Sequence, residues 1–399
     1  PDLLQVLDMS VDIPVVIVVG LCGHGLMIVR ALHRSGVQVV ALETNLMLPG
    51  MRTRCASIRK VADINYAGLI DSLLALSDEI GGQSPPVLIL TNDRMVETVG
   101  YQFERLRGRF ALSCNDCCQN ILLLLKKDQI EARCRVAGLN YPRTVLLAML
   151  DKATVQVGNL CYPLIVKPTR PISSFKTIIV QSADDFPTHY DRIATALPVI
   201  VQEFIPGDDC TIRFGALYLD QGRILARFEG RKLRSRPMGH TTLAVSEPNE
   251  DIHRLTERFF KGLALSGPVS LEFKQAPDGS FWVIEPTVGR TDFWVELCIA
   301  NGVNLPLIEY CSQAGLPLPD ARQQKNYLWM NGERDPFALF WLALRQPSLL
   351  LSKRIAPLYL DVRDMHPFFG AVSNSIRSLL SRTFYKVVRQ LTSADREKP

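Results

Sequence analysis

The sequence predicts a multidomain protein in which an open α/β unit is followed by an α+β body. Three observations lead there. Apolar runs alternate with helical stretches over residues 1–115, and β-rich segments surround one helix between Phe214 and Glu285. A chain of 399 residues also exceeds what one small core organises, so two or three domains are expected.

Residues 15–19 read as a buried strand ending at Gly20, followed by a helix over residues 26–35. Gly36 leads into a second strand, residues 37–42, and residues 87–90 form a later parallel strand that runs into Thr91-Asn92-Asp93. Residues 121–138 have one helical pattern, which Gly138 stops before Pro142, Thr144 and a new strand. Short strands follow at residues 162–167, 178–180 and 199–204, and the helix inside the β-rich stretch covers residues 251–265. After about Ala321 the chain turns towards Trp, Pro and basic residues. Near the end Ile376, Leu379, Leu380, Thr383, Phe384, Val387, Val388 and Leu391 recur at helical spacing, with Arg377, Arg382, Lys386 and Arg389 largely off that stripe. Such a stripe docks on the protein's own core or lies on an anionic membrane surface, and the first is the weightier reading.

The composition is that of an ordinary globular protein, 47% hydrophobic and 21% charged. A formal charge of +5, from 45 basic and 40 acidic residues without a dense basic run, argues against nucleic acid. It suits anionic small ligands such as nucleotides. The longest apolar runs, residues 14–20 and 121–125, fall far short of the ~20 residues that cross a bilayer, and no leader pattern is read at the start. Ten scattered cysteines fit reduced thiols of a cytoplasmic enzyme. Only Cys114-Asn115-Asp116-Cys117-Cys118 has metal-like spacing, and it lacks a second pair.

Gly20-Leu21-Cys22-Gly23-His24-Gly25 joins a strand to a helix, and Glu43 ends the next strand. This is similar to a dinucleotide turn, although the order is GxxGxG rather than GxGxxG. It leaves an NAD-dependent dehydrogenase open as a rival reading.

The chemistry is concentrated between residues 127 and 290. Asp278-Gly279 is a favoured hairpin turn, and folding the chain symmetrically about it sets Glu272 opposite Glu285 and Ser270 opposite Thr287. All four then face one side of the sheet. Two carboxylates with Cβ atoms ~5 Å apart repel unless a cation lies between them, and magnesium bound through one or two carboxylates plus phosphates is the usual answer. Lys127 and Lys167 are natural counter-charges for phosphoryl transfer. Arg227, Arg231, Lys232, Arg234 and Arg236 place five cations in ten residues, a pattern suited to phosphate or substrate carboxylate.

The spacing of five separated motifs resembles the ATP-grasp superfamily over roughly residues 12–320. Lys127 with Gly138, Pro142 and Thr144 resembles the opening of its small nucleotide-binding lobe, and Val166-Lys167-Pro168 its second ATP lysine. Gln202-Glu203-Phe204-Ile205-Pro206-Gly207-Asp208-Asp209 is similar to its hinge, and Glu272 and Glu285 fall where it has metal-binding acids. The stretch from Gly289-Arg290 to Pro306 looks like the carboxylate–amine ligase subset. Two departures stand out: the usual Glu-x-Asn reads Glu285-Pro286-Thr287, and the phosphate loop Thr169–Lys176 has no glycine.

The resemblance implies a Rossmann-like N-terminal (pre-ATP-grasp) domain, residues 1–115, before a two-lobed ATP-grasp fold. The small lobe would be residues 116–200, the body with the metal site 201–320, and a C-terminal extension 321–399. It implies an ATP-dependent carboxylate–amine ligase forming an amide through an acyl phosphate. ATP would lie against Lys127, Lys167, Ser174, Lys176, Glu203, Phe204, Ile205 and Asp209. Mg2+ or Mn2+ would lie against Glu272, Glu285 and Thr287, and Arg231, Arg234 and Arg290 would steer the substrate carboxylate. The expected partners are a small-molecule carboxylate and an amine, with a homodimer compatible. A non-catalytic nucleotide-binding relative stays open on the two departures.

Overall fold

The computed structural model describes residues 13–81, 84–114, 117–151, 156–169, 174, 175, 177–236 and 239–377. Lys176 and most of the basic C-terminal stripe, from residue 378 on, lie outside the described residues.

Val16–Val19 (β1), Val39–Glu43 (β2), Ser57–Lys60 (β3) and Val87–Leu90 (β4) form a parallel sheet of order β3-β2-β1-β4. The apolar run of β1 is buried along its whole length, as a central parallel strand covered on both faces requires. Helix Gly23–Arg34 follows β1, and helix Asp93–Tyr101 follows β4 with Asn92 as its N-cap.

A second sheet of four antiparallel strands, Thr144–Leu147 (β5), Leu164–Pro168 (β6), Ile178–Val180 (β7) and Val199–Glu203 (β8), has the order β5-β8-β6-β7 and its own apolar core. The helical pattern expected over residues 121–138 is broken. It consists of helix Cys118–Leu124, a 3-10 turn Lys127–Gln129 and helix Ile130–Ala137, which Gly138 ends at φ 62°. The break comes at Lys126, whose backbone is extended, and the acidic Asp128 beside the new N-terminus favours a restart there.

The third sheet has seven strands: Ile212–Asp220 (β9), Arg223–Ser235 (β10), Thr241–Ser246 (β11), Gly267–Gln275 (β12), Phe281–Val288 (β13), Tyr327–Met330 (β14) and Arg354–Pro357 (β15). Its order is β13-β12-β9-β10-β11-β14-β15. Leu271, Phe273 and Leu217 pack on one face against helix Glu250–Phe260. Phe214, Ala216 and Phe228 pack on the other against Trp294, with Phe214 stacked on its indole at 4.0 Å between ring centroids.

The segment after Ala321 thus contributes β14 and β15 to the sheet and then crosses to the N-terminal unit. There Arg30, buried, donates to Asp364 Oδ2 at 3.0 Å and to the Asp364 carbonyl at 2.7 Å, while Thr53 donates to the same carboxylate at 2.6 Å. A helical run described over residues 366–377 then buries Ala371 and packs Phe368 against the same core. No helix among the described residues is long and apolar enough to cross a membrane.

Candidate active site

The β12–β13 hairpin places its two glutamates opposite each other, by a less direct route than the symmetric turn predicts. The loop is Pro277-Asp278-Gly279, closed by Gly279 N–H donating to the Ala276 carbonyl, with Gly279 at φ 86°. A three-residue loop with a left-handed glycine is one of the favoured hairpin closures. It displaces the pairing by one residue, so Phe273 faces Val283. A β-bulge then inserts Ile284 and restores the register, leaving Glu272 opposite Glu285 and Ser270 opposite Thr287. The extra residue, Ile284, lines a cleft beside Glu285.

That cleft brings together residues far apart in the chain: Lys127, Ile130, Tyr141, Lys167, Ile200, Gln202, Ile284 and Glu285. Lys127 reaches it because the helical break takes it off the helix face, and its Nζ donates to the Pro168 carbonyl at 3.2 Å. Lys167 lies on β6 and donates to Gln202 Oε1 at 3.4 Å, while Gln202 donates to Thr144 Oγ1 at 2.9 Å. Burial pushes the Tyr141 phenol up to about 12, so the cleft's aromatic wall stays neutral.

Glu272 is neutralised on its other side by Lys232 Nζ at 3.4 Å, a buried ammonium reaching across β9 from β10. Two facing carboxylates that need phosphates to complete the shell fit a divalent cation bound together with a phosphate ligand better than an all-protein cage. No group of three or more metal-ligating side chains is found among the described residues. The Thr287 hydroxyl donates to Asp292 Oδ1 at 3.2 Å, and Ser270 donates to the other Asp292 oxygen. Burial pushes the Asp292 carboxyl up, with Arg290 opposing and Glu272 adding to the rise.

Further along β12, Lys274 extends over the ring of Phe204 with Nζ 4.0 Å from its centroid. Burial pushes its pKa down to about 8, against the pull of Asp209 and Asp208. Glu203 accepts from the Cys161 amide at 2.9 Å, and Asp209 from the Ser235 amide at 2.7 Å. Ile205 is half-buried beside them in the chain.

Of the expected residues, Lys127, Lys167 and Glu285 line the cleft itself, and three of the others are engaged away from it. Arg231 lies on the face opposite Lys232 because strand side chains alternate, and it pairs with Glu247 at 2.7 Å beside Arg213. Arg234 is bound to Asp335 at 2.5 Å and covers Trp341. Ser174 is exposed and shares a hydrogen bond with Thr195. Arg290 is buried near the glutamates, with Nε 2.5 Å from Asp93 and a nitrogen 3.6 Å from Asp292. Burial opposes its charge, yet Asp93 and Asp292 hold its pKa above the usual range. Lys274 and Asp292 escaped the sequence reading, which had Lys232 in the basic run and Gln202 in the hinge motif without a place of their own in the site. Alternation from Glu272 points to Lys274, whereas Lys232 and Asp292 need the sheet order.

The glycine turn has a different use from the one its pattern suggests. Glu43 accepts from the Leu21, Thr44 and Asn45 amides at 2.7, 2.8 and 3.0 Å, which occupies the carboxylate a ribose would need. A Cβ on Gly25 would lie 1.9 Å from the Gly20 carbonyl oxygen, and one on Gly23 would strike Leu358. The glycines serve close packing, and the C-terminal segment covers the helix start. The three clustered thiols are also structural: Cys114, Cys117 and Cys118 are buried, and the last two donate to the Cys114 carbonyl.

No family model matches the chain. A D-aspartate ligase from Enterococcus faecium is 26% identical over 204 residues, 46% of this chain and 48% of that protein. The large chain of carbamoyl phosphate synthase from Micrococcus luteus is 29% identical over 182 residues, 42% of this chain and 16% of that protein. The chain therefore aligns with about half the length of the first relative and less of the second. Among solved structures, the ADP complex of N5-carboxyaminoimidazole ribonucleotide synthetase matches with a TM-score of 0.65 at 15% identity, covering 86% of this chain and 88% of that one. Biotin carboxylase from Campylobacter jejuni matches with a TM-score of 0.61 at 13% identity, covering 78% and 74%. This chain shares the mixed α/β fold of those synthetase and carboxylase structures.

Proposed function

We propose that the protein is an ATP-dependent carboxylate–amine ligase that forms an amide through an acyl phosphate. The observation behind this reading is the facing pair Glu272 and Glu285, the second of which lines a cleft that also holds Lys127 and Lys167. In this reading the parallel sheet of the first ~115 residues is the Rossmann-like pre-ATP-grasp domain, and the nucleotide lies between the second and third sheets.

Lys127 and Lys167 hold the phosphates there, and Glu203, Phe204, Ile205 and Asp209 frame the base and ribose. Lys274, above Phe204, joins that wall. Glu272 and Glu285 hold magnesium, which when bound offsets the phosphate charge. The substrate carboxylate oxygen attacks the γ-phosphorus and the bond to the bridging oxygen breaks, releasing ADP. The amine nitrogen then attacks the acyl carbon, phosphate leaves, and the amine gives up a proton. Positioning and charge stabilisation supply the rate, so no protein nucleophile is needed. Lys232, 3.4 Å from Glu272, and Arg290, which feels the Glu285 charge, would steer the carboxylate, a role the placement of Arg231 and Arg234 does not favour.

Thermal shift with ATP, with and without Mg2+, against NAD(H) tests the reading. A ligand at a hundredfold excess over its Kd stabilises by ~2.7 kcal/mol. A magnesium-dependent shift with ATP is expected, followed by phosphate release when carboxylate and amine pairs are screened. A shift with NAD(H) alone would overturn it.

A further inference from the structure

The glycine turn contains one side chain that its packing role leaves unexplained. His24 is buried between the N-terminal sheet and the loop after β13. Its Nδ1 lies 3.1 Å from the Thr91 carbonyl oxygen and its Nε2 lies 2.8 Å from Thr291 Oγ1. A carbonyl only accepts, so the proton is on Nδ1. Nε2 then offers its lone pair, and the Thr291 hydroxyl must donate. Burial, reinforced by the nearby Arg290 charge, pushes the ring's pKa down to about 3, which keeps it in that neutral form. The edge of its ring also meets Phe293 at 5.5 Å.

Thr291 stands between Arg290 and Asp292. Arg290 is tied to Asp93, at the start of the helix after β4. Asp292 accepts from Ser270 on β12 and Thr287 on β13. Those hydroxyls lie two residues from Glu272 and Glu285 on the same face of the hairpin. A continuous set of hydrogen bonds and one peptide link thus leads from the glycine turn to both carboxylate strands.

We infer that His24 is a positioning residue, which anchors the loop Arg290–Phe293 to the N-terminal sheet so that Asp292 holds Glu272 and Glu285 in their metal-binding arrangement. The inference rests on the proposed reading of those glutamates. Groups that orient metal ligands from behind typically change metal affinity by 10–100-fold when removed. The test is the magnesium dependence of the thermal shift produced by ADP, in the wild type, His24→Phe, Thr291→Val and the double variant. Thr291→Val removes only the hydroxyl at nearly constant volume, so the test survives if His24→Phe does not fold.

Each single variant is expected to raise the magnesium midpoint about tenfold while leaving any magnesium-free ADP shift unchanged. The double variant should be no worse than either, because the two groups act through one bond. Lower melting temperatures with an unmoved magnesium midpoint would overturn the inference and leave His24 a packing residue. A wild type with no magnesium-dependent shift would overturn the metal reading itself, and this inference with it.

Discussion

Lys232 answers the Glu272 charge on the side away from Glu285, and that makes Lys232→Met a sensitive probe of the proposed metal site. Its Nζ lies 3.4 Å from Glu272, with the lysine side chain 3% and the glutamate 17% exposed. Glu272 in turn faces Glu285 across the β12–β13 ladder. Two carboxylate charges ~5 Å apart in surroundings of effective dielectric ~20 repel by about 3 kcal/mol. Removing one partner of a buried ion pair typically costs about 3–5 kcal/mol, since the other charge is left uncompensated. We expect Lys232→Met to lose ~3 kcal/mol without divalent cation, a drop in Tm of roughly 6–12 °C for a unit of ~200 residues. Adding Mg2+ with ADP should narrow the gap to the wild type below ~1 kcal/mol, because the cation now answers both carboxylates. Urea unfolding of the two proteins, with and without Mg2+ and ADP, measures both gaps. An unchanged gap, or no loss in the metal-free protein, would refute the claim that Lys232 and the two glutamates form one electrostatic unit that a bound cation completes.

Other outcomes follow from the same geometry. Glu285→Gln should leave the protein folded by circular dichroism and abolish ADP formation, and retained turnover would remove Glu285 from the metal site. Burial raises the pKa of Glu309 from 4.5 to about 7, opposed by the Ser113 hydroxyl. Between those values the unfolded chain has released a proton that the folded protein keeps, so this group lowers stability as pH rises from 4.5 to about 7. Glu309→Gln should flatten that part of the stability–pH curve. Asp364 behaves in the opposite sense: burial works against its charge, but Thr53 and Arg30 hold its carboxyl below the usual range. Its contribution is present above the ordinary carboxylate pKa and is lost as pH falls through the depressed one. Asp364→Asn, which leaves buried Arg30 with the more distant carboxylate of Asp361 at 3.7 Å, should cost up to about 3 kcal/mol in denaturant unfolding at neutral pH.

The parts of the candidate site that were legible in the sequence are those whose motifs are local. Lys167 ends an apolar strand, and Glu203 sits at the end of another, so the strand pattern positions both. The facing of Glu272 and Glu285 came from the Asp278-Gly279 turn and is correct for a partly different reason. The odd-length loop displaced the register by one residue and the bulge at Ile284 displaced it back. A bulge is chosen by how β13 packs at the cleft rim, which a turn rule does not contain. The expected continuous helix over residues 121–138 failed similarly, because its apolar stripe is shared by two helices packed against one core.

What the sequence determined by itself was many of the strands and the chemistry at their ends: apolar runs set the strands, Gly138 set a helix limit, and the separated lysines and glutamates set the charge inventory. Tertiary structure decided which of those charges meet. The five cations of residues 227–236 were equivalent on paper, yet strand alternation sends Arg231 to Glu247 and Lys232 to Glu272, and Arg234 is consumed by Asp335. The glycine turn looked like a ligand site and became a packed junction, since backbone amides occupy the Glu43 carboxylate and Leu358 packs against Gly23. Sequence spacing reports neighbours along the chain, whereas a charge is spent or left available by neighbours across the sheet, and only the fold supplies those.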